Sequence, residues 1–124
     1  LKKEVVNLWE HINQQNWTHL TAYFVEDAII NWHDTNEQFN VAEFVQANAC
    51  YPGDWQIQIE RLEQIGKLVI SVTKVSLSDG KQSFHATSFF HFEHNKIAQL
   101  DEYWSEITQA PQWRQDKRIG RRIE

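Results

Sequence analysis

Ile97-Ala98-Gln99-Leu100-Asp101-Glu102-Tyr103-Trp104-Ser105-Glu106 is the stretch on which the fold of this chain turns. It reads as a β-strand, in which successive side chains alternate between faces, so Leu100, Glu102 and Trp104 project to one side. If that side is inward, an ionisable group stands next to an indole in an apolar space, which is how ligand pockets are furnished.

Working outward, residues 96–106 form the last of four strands. Trp55, Ile57 and Ile59 alternate with Gln56, Gln58 and Glu60, a pattern with one buried face. Gly66 separates that run from Lys67–Leu77. Ser78-Asp79-Gly80-Lys81 reads as a hairpin turn before Gln82–Phe92, and Glu93-His94-Asn95 leads into the final strand. The first half is different. Val5, Leu8, Trp9 and Ile12 recur at helical spacing over residues 2–14. Asn16 can cap a second helix carrying Trp17, Leu20, Tyr23 and Phe24. Ala28–Trp32 is a short β-like run. Asn40 with Glu43 resembles a capping box in front of a third helix with Val41, Phe44, Val45 and Ala47. Tyr51-Pro52-Gly53-Asp54 turns the chain into the strands. The order α-α-β-α-β-β-β-β predicts an α+β fold: a curved, mainly antiparallel sheet wrapped around three helices from the N-terminal half.

The 124 residues include six Trp and seven Phe, a content that suits a packed globule. We read residues 1–110 as one domain and 111–124 as a basic tail. Residues 114–124 carry a charge of +3, with Arg114, Lys117, Arg118, Arg121 and Arg122 against Asp116 and Glu124, while the whole chain is −5. With no dominant basic field, nucleic acid is not expected as the partner. Cys50 is the only cysteine, which leaves no intrachain disulfide and suits a reducing compartment. Lys2, Lys3 and Glu4 are followed by no apolar run, so neither a signal peptide nor a membrane contact is expected, and the predicted location is cytoplasmic.

Three segments carry a resemblance to the nuclear transport factor 2-like superfamily, which includes ketosteroid isomerases and SnoaL-like polyketide cyclases. They are Phe24-Val25-Glu26-Asp27-Ala28-Ile29-Ile30; Phe89-Phe90-His91-Phe92 followed by Asn95-Lys96-Ile97; and Tyr103-Trp104-Ser105-Glu106. The resemblance spans about residues 3–106. With Tyr51-Pro52-Gly53-Asp54-Trp55 and Ala110-Pro111-Gln112-Trp113-Arg114, the chain is most similar to small bacterial members of unassigned function. The resemblance implies a cone-shaped, cystatin-like α+β half-barrel with an internal pocket and dimerisation through the sheet. It does not carry over the isomerase mechanism. Aligned without gaps, the isomerase base falls on Trp32, the oxyanion tyrosine on Leu8 and the protonated aspartic acid on Ser88, and none of the three can do that work. The tryptophan that faces the steroid pocket in some isomerases falls on Trp104.

Glu102 is then the strongest catalytic candidate, because a carboxyl group desolvated beside Trp104 is poised as an acid or base. His33 is the second candidate, at the pocket mouth beside Asp34, although neighbours in a strand face opposite ways. The candidate ligand contacts are Trp104, Trp32, Leu100, Ser88, Phe90, Trp9 and Tyr23. His85, Thr87, Phe89 and His91 share the other face of their strand and form the candidate homodimer surface. His85 and His91 are about 20 Å apart along it, too far to share a metal ion, and neither a metal nor any other cofactor is expected. The favoured reading is a pocket protein for an apolar or aromatic small molecule. Its alternatives are an acid–base enzyme of the cyclase or isomerase type and a non-catalytic dimeric interaction domain.

Overall fold

A computed structural model describes all 124 residues. Helix α1 spans Lys2–Asn13 and buries Val5, Leu8, Trp9 and Ile12. Strand β1 is Phe24–Trp32 and β2 Glu37–Phe39. Helix α2, Val41–Ala49, follows, then β3 (Trp55–Ile65), β4 (Leu68–Leu77), β5 (Ser83–Glu93) and β6 (Lys96–Glu106). A short helix α3, Gln112–Asp116, lies in the basic tail.

The six strands form one open sheet in the order β2-β1-β6-β5-β4-β3. Every pairing is antiparallel except that of β1 with β6, which is parallel. The register slips at Phe24/Ile29 in β1, Ile59/Arg61 in β3 and His91/Phe92 in β5. Such irregularities bend and twist a sheet, and here they accompany a concave face that holds the core. Val69, Ser71, Thr73 and Val75 of β4, Ala86, Ser88, Phe90 and Phe92 of β5, and Ile97, Leu100 and Glu102 of β6 are all buried. Helix α1 packs across β3 and β4, and α2 against β1. This is the expected α+β cone.

Single elements depart from the sequence reading. The second helix is absent: Trp17–His19 and Thr21–Tyr23 are two short 3₁₀ turns, and Asn16 makes no side-chain cap bond. β-branched Thr18 and Thr21 disfavour a helix in so short a segment, and Phe24 is already committed to β1 opposite Ile97. Strand β1 therefore starts four residues before Ala28; the register slip within it hides its alternation. β2 was not foreseen. The capping box at Asn40 is formed in full, with Glu43 N donating to Asn40 Oδ1 at 2.8 Å and Asn40 N to Glu43 Oε1 at 2.9 Å.

Candidate functional site

A cavity of about 390 Å³ is lined by 16 residues, 11 of them hydrophobic. That volume lies within the range of roughly 300–1,000 Å³ common to small-molecule pockets. It opens between α1, the end of α2 with the turn that follows, and one end of the concave sheet. Trp9, Ile12 and Val75 are buried in its floor, whereas Gln15, Asp34, Thr35, Ala49 and Tyr51 are exposed at its rim.

The walls are aromatic, and each indole is seated by a specific local feature. Trp9 lies on the buried face of α1 and donates from Nε1 to Ser71 Oγ at 3.1 Å. Trp32 ends β1, packs its ring 4.7 Å from that of Phe39 and 6.3 Å from that of Phe44, and donates to Glu102 Oε1 at 3.0 Å. Trp55 is placed by the turn before it. Gly53 adopts φ +99°, and a Cβ there would stand 2.9 Å from Leu77 Cδ2 and 3.0 Å from Trp55 Nε1; only glycine fits. Trp55 Nε1 then reaches the Pro52 carbonyl at 2.7 Å. Trp104 comes from β6. Ring centroids run Trp32–Trp104 at 6.4 Å, Trp104–Phe84 at 6.3 Å, Phe84–Trp55 at 5.8 Å and Trp55–Tyr51 at 5.3 Å. The result is a continuous arc of rings around the cavity. Trp104 Nε1 is buried in this arc with no protein acceptor.

Glu102 faces inward, 1% exposed, but it stands behind the wall and is absent from the cavity lining. Trp32 Nε1 occupies one carboxyl oxygen, and Ser88 Oγ donates to the other at 2.5 Å. Burial pushes the Glu102 carboxyl above its ordinary range, against the opposing pull of the bonds from Ser88 and Trp32. Hydrogen bonds to a charged group contribute about 1.5–3 kcal/mol each, whereas burying the charge costs several kcal/mol. No cation faces it to tip the balance. Glu102 is thus built to orient Trp32.

The remaining candidates divide. Trp104, Trp32 and Trp9 line the cavity together. Leu100 and Phe90 are buried core residues outside it, because the helices cover that part of the concave face. Ser88 lies beneath the wall as the partner of Glu102. Tyr23 sits at the 3₁₀ turns beside His11, with ring centroids 5.8 Å apart, since the missing helix does not carry it inward. Burial, with Glu4 and Glu10 nearby, raises its phenol. His33 lies on the opposite side of the sheet. Its Nε2 is 2.8 Å from Asp101 Oδ1 and its ring stacks on Tyr103 at 4.4 Å. The pairing of His33 with Glu102 is therefore excluded by the alternation of β6 itself: Asp101 points to one face and Glu102 to the other.

Asp34, next to His33, does line the cavity, and its Oδ1 accepts the Trp104 backbone N–H at 3.0 Å. Trp17, Tyr51, Trp55 and Phe84 also line it. The Tyr51–Trp55 turn was the available signal for two of them; Trp17 and Phe84 look like any core aromatic in sequence. No group of three or more His, Cys, Asp or Glu side chains is placed to share a metal ion.

No protein-family model matches this sequence, and a search of curated proteins found no relative. Solved structures do match. A proposed ketosteroid isomerase from Kribbella flavida superimposes with a TM-score of 0.83 at 21% identity, covering 99% of this chain and 89% of that one. A protein of unknown function from Burkholderia xenovorans gives 0.81 at 18%, covering 98% and 94%. A proposed SnoaL-like polyketide cyclase from Shewanella putrefaciens gives 0.66 at 10%, covering 82% and 77%. The chain has the nuclear transport factor 2-like fold. The first two alignments cover too much of the chain to omit its C-terminal arm.

Proposed function

We propose that this protein binds an apolar or aromatic small molecule in its tryptophan-walled cavity. The observation that carries the reading is the cavity itself: about 390 Å³, mostly hydrophobic, with its indoles held from behind by Ser71, Glu102 and the Pro52 carbonyl. Titration with a neutral two-ring aromatic such as 2-naphthol, followed by tryptophan fluorescence, tests the reading. Saturable quenching is expected in the parent and not in Ala49→Trp, which fills the rim. Equal, non-saturating behaviour of both proteins would reject it.

An acid–base enzyme of the cyclase or isomerase type is the second reading. One observation favours it: Asp34, the only carboxylate among the lining residues, is fixed by the Trp104 backbone. Exchange of the α-protons of carbonyl compounds in heavy water, lost in Asp34→Asn, would support it. Whichever reading holds, we further propose a homodimer through the convex sheet face. There Thr87, Phe89, His91, Asp101 and Tyr103 line a shallow depression. Exposed, unpaired Cys50 is compatible with the cytoplasm, and no helix is long and apolar enough to cross a membrane.

A further inference from the structure

The chemistry of the cavity walls narrows the ligand class, provided that the cavity is the ligand site as proposed above. Seven of the 16 lining residues are aromatic, five of them tryptophans, and none is Lys, Arg or His. The one carboxylate is Asp34, at the rim, and none of the five ion pairs of the chain includes it. An anion entering this space would meet no basic group and one negative charge.

The orientation of the indoles adds to this. Trp9, Trp32 and Trp55 each spend the N–H on a protein acceptor, Ser71, Glu102 and the Pro52 carbonyl respectively. With those N–H groups engaged, the rings have carbon left to offer the cavity, and an indole face attracts cations through its quadrupole. The protein as a whole is at −5 and its C-terminal arm at +3, which leaves −8 on the body, so the long-range field also draws cations toward the body. A quaternary ammonium group is weakly hydrated and apolar at its surface. It is the cation least penalised by such a site.

We propose that the cavity takes an organic cation: a quaternary or tertiary ammonium group on an apolar frame. The charge rests against the indoles of Trp32, Trp55 and Trp104 and is balanced by Asp34 at the rim.

The test is an isosteric pair, 3-hydroxyphenyltrimethylammonium and uncharged 3-tert-butylphenol, titrated into the full chain by calorimetry and tryptophan fluorescence. The two differ in charge and scarcely in shape. The cation is expected to bind on the order of tenfold more tightly. Asp34→Asn, which keeps an acceptor for the Trp104 N–H, is expected to bring the ratio of the two affinities close to one. Equal or tighter binding of the phenol would overturn the cation inference while leaving the pocket reading intact. A preference that survives in Asp34→Asn would overturn the role given to that carboxylate. Failure of both compounds to bind, with Ala49→Trp indistinguishable from the parent, would remove the pocket reading and this inference with it.

Discussion

Asp101 and Glu102 are neighbours in one strand, and their environments move their carboxyl groups in opposite directions. On the convex face, burial alone would raise Asp101, but hydrogen bonds from Asn31, His33 and Gln99, together with the nearby His33 charge, outweigh it and lower the group. On the concave face burial prevails and Glu102 is raised. The stability consequences also have opposite signs. Asp101 contributes stability that is present above its unfolded value and is lost as pH falls through its depressed one. Glu102 contributes stability that is present below its unfolded value, about 4.5, and is lost as pH rises through its raised one. Glu102→Gln keeps an acceptor for Trp32 and a donor for Ser88 and has no proton to lose. The variant should therefore gain on the parent as pH rises, by about 1.4 kcal/mol for each unit by which the fold raises Glu102. Urea unfolding of both proteins, from below the ordinary carboxylate range to about pH 8, measures this. A gap that stays constant across the range would mean that the fold does not raise the Glu102 carboxyl. That Glu102 shares a face with Trp104 could be read from strand parity, and the inward direction of that face from the family resemblance. Its partner could not: Trp32 is 70 residues away in sequence, and no local pattern says which strand lies beside β6.

Among the elements, α2 is short and depends on its start. Its capping box satisfies the first turn at both Asn40 and Glu43, and its buried Phe44 supports the Trp32 ring from below. Asn40→Ala should cost about 0.5–2 kcal/mol, read as a lower urea midpoint with an unchanged slope. Because Asn48 and Ala49 at the far end of α2 border the cavity, the same variant should also weaken 2-naphthol binding at temperatures near its melting point. This helix was legible because its capping signal is local. The supposed helix after Asn16 was not, since an apolar set spaced at three and four residues also fits two successive 3₁₀ turns. Strand β2, three residues long, carries too little pattern to be seen without its partner Ile30–Trp32.

Over the whole molecule, two surfaces lack cover within the chain. The convex face presents Ile29 and Tyr103, both exposed, beside Phe89, whose ring lies 5.9 Å from that of Tyr103. If a second copy sits there, Phe89→Glu places a charge in the centre of the contact and should halve the mass seen by light scattering, with the far-UV spectrum unchanged. An unchanged mass would reject this face as the dimer contact. The second surface is the C-terminal arm, on which Trp113 and Ile119 are each 56% exposed and Arg114 lies over Trp113 at 5.3 Å. Composition marked this segment as basic; its short helix could not be read from five residues.

The parallel seam between β1 and β6 bears on how the protein is made. β6 pairs on one side with β5, its neighbour in sequence, and on the other with β1. During synthesis the β1–β2 ribbon emerges early and can find its place in the sheet only after residues up to about 106 have left the ribosome. Until then Trp32 has neither Glu102 nor Trp104 to pack against, and the nascent chain carries an unprotected strand edge of the kind that recruits chaperones. A message cut short within β6 would therefore yield two unjoined pieces of sheet and no smaller version of the binding cavity.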